Sequence, residues 1–318
     1  MTKQENYFRA TDFGVPEWIP IRVSLMPATW AKYREALEEI VMEFPFIFGE
    51  HLPGSIGFDA FDGTYNEGEF TDAWGCVWKN VAPGLDGMVV GHPLPNRRDV
   101  RNFEPPTGIV GLPHGFMFMR LYYLRGFEQL MIDFAEEPPE LQMLIDKVLE
   151  HNLMEVDALV KAKPDMAVFG DDLGNQDFLP IHPQKWRKYL QPCYAQMYAK
   201  CHAAGARVYM HSDGHIIEII DNLIEAGVDI LNPQVGANGL DHLARVAKGK
   251  VAIDLDLDRQ RFPFWSPAHI EAHVREAVEM LYAPEGGLLL YAEMEPDVPL
   301  ENIRAMCETL MKFKDFDG

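Results

Sequence analysis

Basic residues are scarce. The 318-residue chain sets only 28 lysines and arginines against 49 aspartates and glutamates, a formal net charge of -21. It therefore has no basic stripe with which to meet phosphates, and both nucleic acid and an anionic membrane surface are excluded as partners on electrostatic grounds. Cysteine is scarcer still. Cys76, Cys193, Cys201 and Cys307 show no CxxC spacing and are too few to staple a chain of this length, so they read as buried free thiols in a reducing compartment. No stretch approaches the roughly 20 apolar residues that span a bilayer, and the opening MTKQENYFRATDF lacks the apolar segment of a signal peptide. A cytoplasmic location is expected. No Gly-x-Gly-x-x-Gly follows an apolar run, which removes the main support for a dinucleotide-binding sheet. Internal repeats and low-complexity tracts are also missing.

What is present points to alternating strands and helices. At 47% hydrophobic content the chain can bury a large core, and one domain spanning 1–318 is expected. Short β-rich runs occupy 19–25, 108–112, 166–169, 206–211, 228–231, 251–255 and 288–291, with helical patterns at 28–44, 126–134, 139–162, 183–204, 216–226 and 267–281. The short connections of the second half suit parallel βαβ units. With one further strand expected between 45 and 60, the pattern predicts an α/β fold, a closed (β/α)8 TIM barrel. Residues 51–106 depart from this rhythm. The stretch is rich in Gly, Asp, Pro and aromatics, and it is expected to cover the barrel mouth. A solvent-facing excursion anchored by Trp74 and Trp78 is the plainer alternative.

In such a barrel, chemistry sits where strands run into the loops that follow them. MAVFGDDLGNQ closes on Asp171 and Asp172, RVYMHSDGH on His211 and Asp213, VAIDLDLD on Asp254 and Asp256, and LLLYAEME on Glu293 and Glu295. Side chains alternate faces along a strand, so His211 and Asp213 can point together, whereas only one of Asp171 and Asp172 can face the barrel axis. Structural roles compete with this reading. Asp213 or Ser212 can cap the helix through Glu218, His211 can be a core histidine, and Asp171 or Asp172 can cap the turn through Asn175. Four polar strand ends at one end of one barrel favour a shared pocket.

These same segments carry a resemblance. GDDLGNQDFLPIHPQKWRKYLQP, AAGARVYMHSDGHIIEIIDNLIEAGVDILNPQ and YAEMEPDVPLENIRAM resemble the uroporphyrinogen decarboxylase (URO-D) superfamily. TDAWGCVWKN, GHPL and GLPHGFMFMRLYYLRGFEQLM resemble its N-terminal half more loosely. That superfamily includes decarboxylases and corrinoid-dependent methyltransferases, and the departures from pattern separate the branches. The decarboxylases' arginine-rich RQAGRY-like stretch is replaced by IRVSLMPATWAKYREAL, and the histidine of their GHG turn by Ala292. The thiol-methylating branch holds zinc with His-x-Cys and a later Cys. Here His211 matches, Asp213 replaces the first Cys, and the second falls at Ala292, beside Glu293.

The resemblance is therefore closest to the O-demethylase-like branch. It implies an enzyme that removes a methyl group from a methoxylated or similar small substrate and passes it to a separate corrinoid protein, an oligomer being compatible with the reading. Zinc on His211, Asp213 and Glu293 would be a harder, more oxygen-directed Lewis acid than zinc on thiolates. Asp171 or Asp172 would orient substrate or a proton, Asp254 would support the pocket floor, and Trp74, His114 and Tyr122 would line the substrate. One alternative is a decarboxylase of a smaller acid, with Arg22 or Arg120 holding the retained carboxylate and His211 protonating the carbanion. A binding protein that kept the barrel and lost its chemistry is the other.

Overall fold

The computed structural model describes residues 1–61 and 63–318. Asp62, inside the stretch expected to form the cover, lies outside the described residues. Strands are β1 (Ile21–Leu25), β2 (Gly68–Thr71), β3 (Val77–Asn80), β4 (Met88–Gly91), β5 (Met166–Gly170), β6 (Arg207–Ser212), β7 (Ile230–Pro233), β8 (Ala252–Asp256) and β9 (Leu288–Met294). By its contacts the chain divides into two compact units. One comprises 1–68, 80–87 and 234–318, and the other 69–79 and 88–233.

The first unit holds parallel strands in the order β1, β9, β8, with Arg22 beside Tyr291 and Asp254 beside Leu289. Every residue of β8 is buried, as expected of a parallel strand covered on both faces. Its helix Pro267–Leu281 begins where the sequence predicts, because Ser266 and His269 form a reciprocal cap ahead of Pro267. Helix Leu300–Phe313, which the periodicity search missed, buries Ile303, Met306, Cys307, Leu310 and Phe313 on one face.

The second unit holds β5, β6 and β7, also parallel and in that order. Its long helix Pro139–Lys161 buries Leu141, Leu144, Ile145, Val148 and Val156 at helical spacing. Strands β2, β3 and β4, in that order and with β3 and β4 antiparallel, occupy a part of the 51–106 stretch for which the sequence predicts no strand. All four cysteines are free and buried, in line with the sequence reading, and burial pushes the Cys193 and Cys307 thiols up to about 12. No helix among the described residues is long and apolar enough to cross a membrane.

The α/β class with parallel strands is as predicted; the closed eight-stranded barrel is not shown. Six parallel strands are described, three in each unit. Residues 108–112 form no strand, because Gly108 and Gly111 take φ of 86° and 90° and so break an extended run, leaving Ile109 and Val110 exposed. Residues 45–60 contain the helical turn Pro45–Phe48 in place of a strand. The helix expected over 28–44 breaks at Arg34, whose φ of 50° divides Pro27–Tyr33 from Glu35–Glu43.

His273 ties pH to stability in the first unit. Its Nε2 accepts the Asp258 amide at 3.3 Å, its ring packs on Trp265, and burial draws the imidazole from 6.5 down to about 4. Because the folded value lies below the unfolded one, the neutral ring's contribution is complete above about pH 6.5 and is lost as the pH falls through about 4. Between these limits the thermal midpoint of the wild type should fall faster than that of His273→Gln, with the two profiles parallel above pH 6.5. Profiles that stay parallel through the whole window would refute the assignment.

Candidate functional site at the ends of β5 and β6

The site is set by strand register. Gly170 at the end of β5 lies beside His211 of β6, which lies beside Asn232 of β7. His211 Nδ1 meets Asn232 Oδ1 at 2.7 Å. With that oxygen accepting, the proton sits on Nδ1, and Nε2 is the atom presented to the carboxylates that follow the strands. Asp213 Oδ1 is 3.1 Å and Asp172 Oδ1 4.0 Å from His211 Nε2.

Asp171 and Asp172 point apart, as alternation along an extended chain requires. Asp171 is fully buried and accepts from the amides of Met117, Phe118 and Met119 at 3.2, 2.6 and 2.9 Å and from the Tyr194 hydroxyl at 2.6 Å. It thereby satisfies amides at the start of helix Phe118–Arg125 from a distant part of the chain. Burial pushes its carboxyl up, while Tyr194 and the amides of Met119 and Phe118 pull it down. Asp172 faces the other way. Its Oδ1 accepts the Asp213 amide at 3.1 Å and lies 3.0 Å from His114 Nε2.

His114 arrives from the loop before that helix, where the Gly115 amide donates to the Gly170 carbonyl at 2.7 Å. Its ring fills the space that a side chain at 170 would need, since a Cβ there would stand 2.5 Å from His114 Nδ1. The rings of His114 and His211 are 5.6 Å apart. Burial works against a charge on His114, yet the bonded Asp172 carboxylate outweighs it and the imidazole is raised above its usual range, with His211 opposing. Nε2 of His114 is thus a point where positive charge is favoured.

The loops carrying these groups are stitched together. The His215 amide donates to the Asn175 carbonyl at 2.7 Å and the Leu173 amide to Ser212 Oγ at 3.0 Å. Gly174 and Gly214 meet back to back, where a Cβ would come within 2.3 Å of His215 O or 2.2 Å of Gly174 O. Ile216 stands at the N-cap of the turn Ile217–Ile219.

Trp74 is buried, packed on Phe103 and edge-on to His151, with Arg120 5.1 Å from its ring centre. Tyr122 is half-buried among Phe118, Tyr123 and Phe127, and burial raises its hydroxyl. Phe116 and Phe118 are core residues. Asp254 and Glu293 belong to the first unit. Asp254 is buried and accepts from Arg22 at 2.9 Å, while Glu293 pairs with Arg259 and accepts the Tyr291 hydroxyl at 2.8 Å. Sequence reasoning missed Asn232 and Gly170. The polar residue closing the buried run ILN and the glycine ahead of the acid pair were the signals available.

The arginines are spoken for by acids. Arg97 pairs with Asp133 and Glu136, Arg101 with Glu140, Arg22 with Asp254, and the buried Arg120 with Asp72 at 2.8 Å.

The model of the family described as uroporphyrinogen decarboxylase (URO-D) matches residues 107–313, the span that contains His114, the Asp171 and Asp172 pair, His211 and Asp213. The chain belongs to the URO-D family. A solved structure described as a methyltransferase from Methanosarcina mazei shares the fold with this URO-D chain. The TM-score is 0.66 at 17% identity, over 98% of this chain and 99% of that one. A 3-keto-D-glucoside 4-epimerase from E. coli aligns at a TM-score of 0.36 and 11% identity, over 65% of this chain and 96% of that one, too weakly to carry an argument. Comparison with curated proteins yields no match.

The two adjacent aspartates of this URO-D chain should separate cleanly by mutation. Asp171→Ala strands three amides and a buried hydroxyl, so it should cost on the order of 3 kcal/mol in chemical denaturation. Asp172→Ala, on a partly exposed carboxylate, should leave the unfolding midpoint within about 0.5 kcal/mol of wild type. Equal losses would show that Asp172 is structural as well.

Proposed function

We propose that this protein is a methyltransferase that takes the methyl group of a methoxylated or similar small substrate and hands it to the cobalt of a separate corrinoid protein. The observation that carries this reading is the cluster of His114, Asp172, His211 and Asp213 at the ends of two adjacent parallel strands, the position where barrel enzymes keep their chemistry. Family membership supports it, as does a fold shared with a protein described as a methyltransferase.

In the reaction the bond from substrate oxygen to methyl carbon breaks. The methyl carbon bonds to the acceptor's cobalt(I), which supplies the electron pair, and the bonding pair stays on oxygen. An alkoxide or phenoxide leaves poorly, so the oxygen must take up a proton or be held by positive charge as it departs. With no metal bound, His114, held at Nε2 by Asp172, keeps a proton available for this step. His211 is held in one tautomer by Asn232, and Asp213 lies at its other nitrogen, a pairing that fixes the ring and balances charge that develops on it. Zinc belongs to the reading, with His211 as its first ligand, and when bound it would supply Lewis acidity toward the departing oxygen.

The arginine pairings favour methyl transfer over decarboxylation. A retained carboxylate needs a guanidinium that can turn to it. Arg120, one candidate for that task, is buried on Asp72 and also bonds toward Cys76.

The test is transfer from a panel of methoxylated compounds to cob(I)alamin by purified protein, with metal content measured alongside. Methylcobalamin should form from at least one compound, and His211→Ala should slow it by about 100-fold or more. Release of carbon dioxide from a carboxylic acid without methyl transfer would reverse the ranking.

A further inference from the structure

The atoms that face one another at the ends of β5 and β6 are two imidazole nitrogens and a carboxylate oxygen. His114 Nε2 lies 3.0 Å and His211 Nε2 4.0 Å from Asp172 Oδ1, and one ligand atom from each of the three residues falls within 4.8 Å of the other two. Four-coordinate zinc with bonds of about 2.0–2.1 Å sets neighbouring donors about 3.3 Å apart. These two separations bracket that value, so small side-chain rotations would bring the donors to it.

Independent features point the same way. The Nδ1 of His211 is engaged by Asn232 Oδ1, the outer-shell contact that commonly directs the opposite imidazole nitrogen to a metal. Asp172 is oriented by the Asp213 amide, and His114 by the missing side chain at Gly170. His114 and Asp172 keep 47% and 26% of their side-chain surface exposed, which leaves room for a substrate atom or water at a remaining position.

We propose that His114, Asp172 and His211 together form a site for a divalent first-row cation, zinc foremost, with two imidazoles and one carboxylate from the second unit. Both imidazoles and the carboxylate are borderline to hard donors, so the ion would act on oxygen rather than on a thiol. The ligand set differs from the one expected by resemblance, which contained a single histidine. The inference deepens the proposed methyl transfer and rests on its placement of the chemistry in this unit.

X-ray absorption of the zinc-loaded protein reads the ligand set without turnover. Two imidazoles per zinc are expected in the wild type, and one in both His114→Ala and the milder His114→Gln. In cobalt(II) titrations followed by visible absorption, His114→Gln and Asp172→Ala should each weaken binding at least about tenfold, with near-ultraviolet dichroism confirming the native fold. A wild type with a single imidazole, or one that takes up neither ion, overturns the proposal, as does a folded His114→Gln that binds cobalt as the wild type does. Methyl transfer is judged apart from this by the cob(I)alamin assay, since acid catalysis by the same side chains needs no metal.

Discussion

One buried carboxylate holds the candidate site in register. Asp171 leaves β5 toward the interior and binds three consecutive amides at the start of helix Phe118–Arg125, together with the Tyr194 hydroxyl. This contact fixes a segment more than 50 residues earlier in the chain against the end of the strand. The preceding loop then delivers His114 beside the next residue, Asp172. An isolated buried carboxylate would be unfavourable, but four donors replace its water and make the arrangement specific. The two adjacent aspartates thus divide the work, one inward for architecture and one outward for the site.

The acidic composition follows the same economy. Asp133 is buried and receives both Arg97 and Arg125, Asp72 receives Arg120 together with Trp78 Nε1, and Glu137 gathers Lys185, Lys188 and the Tyr189 hydroxyl. These cations tie loops and helices within the second unit. The candidate site is built from imidazoles and carboxylates, and imidazoles suit proton transfer or metal binding at neutral pH better than fixed guanidinium charge does.

Much of this was legible in the sequence. Apolar runs located β5, β6, β8 and β9 to within a few residues, since a buried parallel strand needs little more than consecutive β-formers. The polar strand ends marked His211, Asp213 and the aspartate pair. What escaped depended on contacts far apart in the chain. Nothing local shows that Asp171 caps a distant helix, that Asn232 orients His211, or that His114 meets Asp172 at the strand ends. The GIVGL run misled because its apolar content resembles a strand, whereas its two glycines adopt backbone angles that no strand uses.

Gly170 gives the site a further property. Its missing side chain is the room in which the His114 ring stands. The identities at positions 114 and 170 are therefore coupled by volume, although neither residue is acid, base or ligand to the other. A relative with alanine or anything larger at the position of Gly170 cannot seat a histidine at 114 in this way. Such a chain would have had to change both positions together, so the pair can sort family members that share this chemistry from those that share only the scaffold.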